Sequence, residues 1–206
     1  MLYDLLRLLA WLVLKAFFRL RIIGRQHVPT TGGALIACNH QSFADPVIVG
    51  VGVGRRQVAF MARRSLFQNR LFGWLIRSVN AFPVSRGEID AAAVKLAIEK
   101  MRAGALLLVF PEGTRTSDGH IGPIREGTVV MASRAGVPIL PAVIHGAFQA
   151  WPRDASLPRL GRIWIAFGEP MPAPGPSRAE RRAGTELLAS RLRELQAELD
   201  RIGGPK

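Results

Sequence analysis

Ala34-Leu35-Ile36-Ala37-Cys38-Asn39-His40-Gln41-Ser42-Phe43-Ala44-Asp45 changes character part-way, from an apolar run to a polar one. A short apolar run ended by polar residues reads as a buried strand that delivers its C-terminal end into a loop. The loop carries an imidazole, His40, and five residues on a carboxylate, Asp45, just ahead of Pro46 and Val47-Ile48-Val49. A helix opening near residues 44–46 sets Asp45 at its N-terminus, within folding reach of His40. A carboxylate that accepts the imidazole Nδ1–H fixes the tautomer and leaves Nε2 as a base. It also stabilises the imidazolium formed when that base takes a proton. The same spacing suits a loop histidine bonded to backbone beside an ordinary helix-capping aspartate, so the pair needs support from elsewhere in the chain.

Working outward, apolar runs alternate with helical patterns. Residues 58–61, 105–110, 137–144 and 162–167 read as further strands, and 80–87 as a short edge strand in which Pro83 removes a ladder donor. Helices are expected over 46–53, closed by Gly54, over 88–102, stopped by Gly104, and over 126–134, ended by Gly136. Ser177-Arg178-Ala179-Glu180 is a capping box that opens a charged helix to about residue 201. Residues 66–77 combine helical apolar spacing with interleaved arginines, which suits either a core helix or a membrane-facing one. The expectation is an α/β fold: a single domain with a mixed sheet flanked by helices. In such sheets ligands bind beyond the carboxyl ends of strands. His40, Arg86 and residues 112–115 all follow expected strands, so three polar loops converge on one site.

The length of 206 residues suits one domain with a substantial core, and 49% of the residues are apolar. Cys38 is the single cysteine, which excludes an intramolecular disulfide and a cysteine-rich zinc site. A net charge of +13 points to an anionic partner. Nucleic acid is not expected, because no finger spacing, RNP-like strand or recognition helix is present and one tyrosine provides poorly for base stacking. A phospholipid surface fits better. Residues 1–22 are apolar, with Asp4, Arg7, Lys15 and Arg19 within an arc of roughly 120° on a helical projection. The uninterrupted run from Leu8 to Leu14 falls far short of the ~20 residues of a spanning helix. An amphipathic interfacial helix is expected over residues 1–24, followed by the α/β domain over 25–206. That places the chain peripherally or monotopically on the cytoplasmic face of a membrane rich in anionic lipid.

Phe110-Pro111-Glu112-Gly113-Thr114-Arg115 offers a glycine for close backbone approach and an arginine suited to bidentate phosphate recognition. Glu112 can anchor that arginine, orient a substrate hydroxyl or brace the loop. A turn with a surface Glu–Arg pair is the plainer reading.

With these residues in view, the chain resembles the glycerolipid acyltransferases. The blocks are Asn39-His40-Gln41-Ser42-Phe43-Ala44-Asp45, Phe82-Pro83-Val84-Ser85-Arg86, Phe110 to Arg115, and Val137-Pro138-Ile139-Leu140-Pro141, in that order. Among them the chain is most similar to the bacterial 1-acyl-sn-glycerol-3-phosphate (lysophosphatidic acid) acyltransferases. The resemblance implies acyl transfer from acyl-CoA or acyl-carrier protein, as co-substrate, to the 2-hydroxyl of lysophosphatidic acid, giving phosphatidic acid. It implies no metal and no cofactor. His40 would be the general base and Asp45 its orienting carboxylate. Arg86, Glu112, Gly113, Thr114 and Arg115, with Arg63, would form the acceptor phosphate site, and the Pro138–Pro141 block would line the donor side. Two departures bear on the acceptor headgroup more than on the chemistry. Ala62-Arg63-Arg64-Ser65-Leu66 stands where relatives commonly have Ala-Lys-x-Glu-Leu, and Arg125 where a lysine is common. Rival readings are a covalent route through Ser42 or Cys38, a metal site from His27, His40, His120 and His145, another lysolipid acceptor, and a non-catalytic phospholipid-binding protein.

Overall fold

The computed structural model describes residues 2–85 and 90–205. The chain begins with helix α1 (Leu2–Phe18), which runs into strand β1 (Arg21–Ile23). Strand β2 (Ala34–Cys38), helix α2 (Asp45–Gly52) and strand β3 (Val58–Arg63) follow. A 3-10 turn over Arg64–Phe67 leads to helix α3 (Arg70–Ser78) and strand β4 (Ala81–Val84). Helix α4 (Ala91–Arg102), strand β5 (Leu106–Val109), helix α5 (Gly127–Ala135) and strand β6 (Ile139–His145) complete the alternating part. The chain then forms a single helical turn α6 (Ala147–Ala150), strand β7 (Trp164–Phe167) and the long helix α7 (Arg178–Arg201).

The described residues form one seven-stranded sheet in the order β1-β7-β6-β2-β5-β3-β4. Strands β6, β2, β5, β3 and β4 run parallel, while β7 is antiparallel to β6 and carries β1 in its own direction. The sheet is therefore mixed, as expected. Every residue of β2 is buried, because a central parallel strand is covered on both faces. Successive side chains alternate between those faces. Ile36 and Cys38 join the cluster under α1 and α2, and Leu35 and Ala37 the cluster under α4, α5 and α7. Burying each such leucine or isoleucine contributes about 1.5–3 kcal/mol. Ala37 lies opposite Val109 in the register, so the loops after β2 and β5 leave the sheet side by side.

Several elements begin or end away from their expected limits for local reasons. The first helix stops at Phe18, and Arg19 takes a positive φ of 44°. The next residues then join the sheet: Arg21 N–H donates to Ile163 O and Ile163 N–H to Phe18 O. Residues expected to extend the interfacial helix thus form an edge strand, with the Arg21 guanidinium over the Trp164 ring. Helix α4 starts at Ala91, where Asp90 Oδ1 accepts the Ala93 N–H. The expected capping box at Ser177 and Glu180 is formed.

Candidate active site

Asp45 opens α2 with Pro46 behind it and is fully buried. Its Oδ2 accepts three hydrogen bonds: from His40 Nδ1–H at 2.8 Å, Gln41 N–H at 2.6 Å and Ser42 N–H at 2.8 Å. Burial pushes this carboxyl above the ordinary aspartate range, while the His40 bond and the two backbone donors pull it back. The imidazole stacks on Phe110, with ring centroids 3.8 Å apart and planes 9° from parallel. One nitrogen is held, one ring face is covered, no described residue bonds Nε2, and the side chain remains 19% exposed. That is the geometry of an oriented base.

Glu112 reaches across from the loop after β5. Its Oε1 accepts the His40 N–H at 2.9 Å and its Oε2 the Gly122 N–H at 3.0 Å, so both oxygens hold main chain. Burial raises its pKa, opposed by those two donors. Thr116 N–H donates to His40 O at 2.8 Å, tying the same two loops a second time. Two amides not singled out from the sequence complete the frame. Asn39 clasps β6 by donating to Ile144 O at 2.9 Å and accepting Ile144 N–H at 2.7 Å. Gln41 donates to Gly119 O and accepts from Ala147 N–H and Phe148 N–H. Their only sequence signal is position, one on either side of the histidine.

The basic residues stand around this frame. The Arg115 guanidinium lies 3.5 Å from the centroid of Phe43, in the His40 loop. Gly113 has φ +74°, which a side chain rarely adopts, and its N–H closes the turn onto Phe110 O. A Cβ added there would come within 3.0 Å of the Arg125 guanidinium, so Arg125 also borders the site. Thr114 is exposed on the same turn, and Arg63 is exposed at the carboxyl end of β3, two strands from β2. Arg86 lies outside the described residues. The Val137–Pro141 block enters β6, where Ile139, Leu140 and Pro141 are buried.

The acyltransferase family model matches residues 19–145, more than half of the sequence. The chain belongs to the acyltransferase family. It is 32% identical over 186 residues to the 1-acyl-sn-glycerol-3-phosphate acyltransferase of Bacillus subtilis (strain 168), covering 88% of this chain and 90% of that one. The enzyme of that name from Streptococcus pneumoniae is 30% identical over 169 residues, 82% of this chain and 60% of that longer one. Among solved structures, the 1-acyl-sn-glycerophosphate (LPA) acyltransferase PlsC from Thermotoga maritima is similar with a TM-score of 0.76 and 25% identity. That likeness covers 95% of this chain and 80% of the other.

Within this acyltransferase the rival groups are occupied. Cys38 is fully buried, and burial pushes its thiol well above the ordinary range, away from the nucleophilic thiolate. Ser42 is also fully buried, and its Oγ accepts the Ala44 N–H. The four histidines are dispersed: His27 bonds Phe167 O, His145 pairs with Asp200, and His120 is exposed. No group of three metal-ligating side chains forms among the described residues.

Proposed function

We propose that this acyltransferase moves a fatty acyl group from a thioester donor, acyl-CoA or acyl-carrier protein, to the 2-hydroxyl of 1-acylglycerol-3-phosphate, giving phosphatidic acid. The observation that carries the reading is the held imidazole of His40, with Nε2 open, at the edge where the loops after β2 and β5 meet. His40 Nε2 takes the hydroxyl proton as the oxygen attacks the thioester carbonyl, and Asp45 stabilises the imidazolium. The tetrahedral intermediate then expels the thiolate, which receives the proton back from His40. A base so placed contributes about 10²–10⁴ in rate. Arg115, Arg63 and Arg86, with the Thr114 hydroxyl, bind the acceptor phosphate by charge-assisted hydrogen bonds. Gly113 contributes the turn that brings Arg115 and Arg125 to one side. Glu112 acts on the substrate through His40, since its oxygens already hold two main-chain donors.

Helix α1 supports an interfacial location. Tyr3 and Leu14 face inward, and Leu5, Leu9 and Leu12 lie about half exposed on the outer side. No helix among the described residues is long and apolar enough to cross a membrane. The C-terminus of α1 adjoins the start of β7, which pairs with the end of β6, so the helix brings the site edge to the lipid. The positive net charge suits an anionic cytoplasmic leaflet.

The test is phosphatidic acid formation by the purified protein in mixed micelles of lysophosphatidic acid, with each donor in turn. Acylation of another lysolipid in its place would overturn the acceptor assignment. Micelle binding with no turnover on any lysolipid would favour the non-catalytic binding protein.

A further inference from the structure

Helix α3 departs from the pattern of a surface helix. Gly73 and Ile76 face inward, and Ile76 packs with Ala62 of β3 and Ala81 of β4. At about 100° per residue, Leu71, Trp74 and Leu75 fall on the opposite side. Leu71 is 76% exposed and Trp74 56%. A surface helix ordinarily presents polar groups there. Here the charged groups, Arg70 and Arg77, stand on one flank, and Arg77 also covers the Phe67 ring. Arg64 adds a further cation on the preceding turn, reaching Ser85 and Asp90. Residues 46–87 contain seven arginines and no aspartate or glutamate.

Phe60 touches both the core under α1 and α2 and the small cluster under α3. These three helices therefore cover the same face of the sheet. Helix α1 ends beside β7 and α3 packs on β4, toward opposite margins, with β2 and the His40 loop between them. We propose that α3 is a second lipid-docking element, taking an anionic phospholipid bilayer as its partner. Leu71, Trp74 and Leu75 enter the interface while Arg70 and Arg77 meet headgroup phosphates. An aliphatic and aromatic face flanked by arginine is the composition of an interfacial helix. A second copy of this chain is a poorer occupant, because docking face to face would set arginine against arginine with no carboxylate in the segment to answer it. Two contacts at opposite margins hold the catalytic edge at a fixed attitude to the lipid, which α1 alone does not. The proposal stands on the surface of α3 and is independent of the reaction.

Cys38 is fully buried, so Leu71→Cys introduces one accessible thiol for an environment-sensitive dye. Leu9→Cys reports on α1 and Arg191→Cys on the opposite face. Vesicles of phosphatidylcholine with phosphatidylglycerol are expected to shift the dye to the blue at positions 71 and 9 but not at 191. In the unlabelled chain, the Leu71→Ser/Leu75→Ser double variant should bind these vesicles roughly tenfold less tightly, with unchanged circular dichroism. Arg70→Gln should bind about fivefold less tightly. A dye at 71 that stays unmoved while the dye at 9 shifts would overturn the proposal. So would wild-type vesicle binding by the double variant. A shift at 71 that appears without vesicles and grows with protein concentration would assign the patch to a second copy instead.

Discussion

His40 and His145 each hold an aspartate oxygen at 2.8 Å, and both stand at the carboxyl edge of neighbouring parallel strands. Their surroundings differ in three respects. His40 is bound through Nδ1 and no described residue bonds its Nε2, whereas His145 gives Nε2 to Asp200 and its Nδ1 is buried with no partner among the described residues. Asp45 is completely buried and further held by two backbone N–H groups, whereas the Asp200 side chain is 53% exposed on the last turn of α7. The His40 backbone is itself held by Glu112 and Thr116. Distance does not separate a candidate base from a structural pair. What separates them is which nitrogen remains, whether it can reach a substrate, and how firmly the partner carboxylate is held.

The comparison is broken most sharply at the aspartates. Asp45→Asn should lower kcat by about 10²–10⁴ by losing the fixed tautomer and the imidazolium's counter-charge, with little change in KM. Asp200→Asn should leave kcat unchanged and shift the melting temperature slightly. A similar loss in both would make the two pairs equivalent and remove the distinction.

Glu112→Gln sharpens the role given to the brace. Kcat should fall on the order of tenfold through a looser His40 loop, with KM for the phosphate acceptor nearly unchanged. A large rise in KM alone would put Glu112 at the phosphate. The pH dependence of stability gives a separate reading. Because burial raises the Glu112 pKa, the folded chain binds this proton more tightly than the unfolded one. Its contribution is present at the ordinary carboxylate range and is lost as pH rises through the folded value. The variant lacks that contribution, so its deficit in melting temperature should be larger near about pH 5 than near about pH 8. A deficit that grows with pH would contradict the raised pKa.

The smallest expected effect is at Cys38. With its thiol buried and its pKa pushed up, a thiol reagent at mildly alkaline pH should react only as the chain unfolds. Cys38→Ala should keep full turnover at a cost of about 1 kcal/mol in stability. Loss of turnover in that variant, with the fold intact, would restore the covalent route.

Much of this frame was legible because it is local. The apolar runs of β2 and β5 are bounded by polar turns, the Ser177–Glu180 box spans one helical turn, and His40 and Asp45 are five residues apart. What escaped the sequence is set by tertiary partners. The Asn39 clasp joins residues 105 apart, and Gln41 reaches both the Gly119 loop and the start of α6. No spacing encodes either. Residues 21–23 leave the helical pattern because the open edge of β7 offers a ladder. The place of Arg125 against Gly113 depends on a loop closing over a positive-φ turn. Residues 66–77 read equally as core or membrane surface because α3 is apolar on two sides, with Ile76 packed inside and Leu71 exposed outside.

The most direct test of the account is the initial rate of phosphatidic acid formation by wild type, His40→Ala and His145→Ala, measured side by side in lysophosphatidic acid micelles with micelle binding recorded for each. The account predicts that His40→Ala binds the micelles normally and loses turnover by at least about a hundredfold, while His145→Ala retains it. Equal rates in wild type and His40→Ala would contradict it and take the base away from the loop after β2.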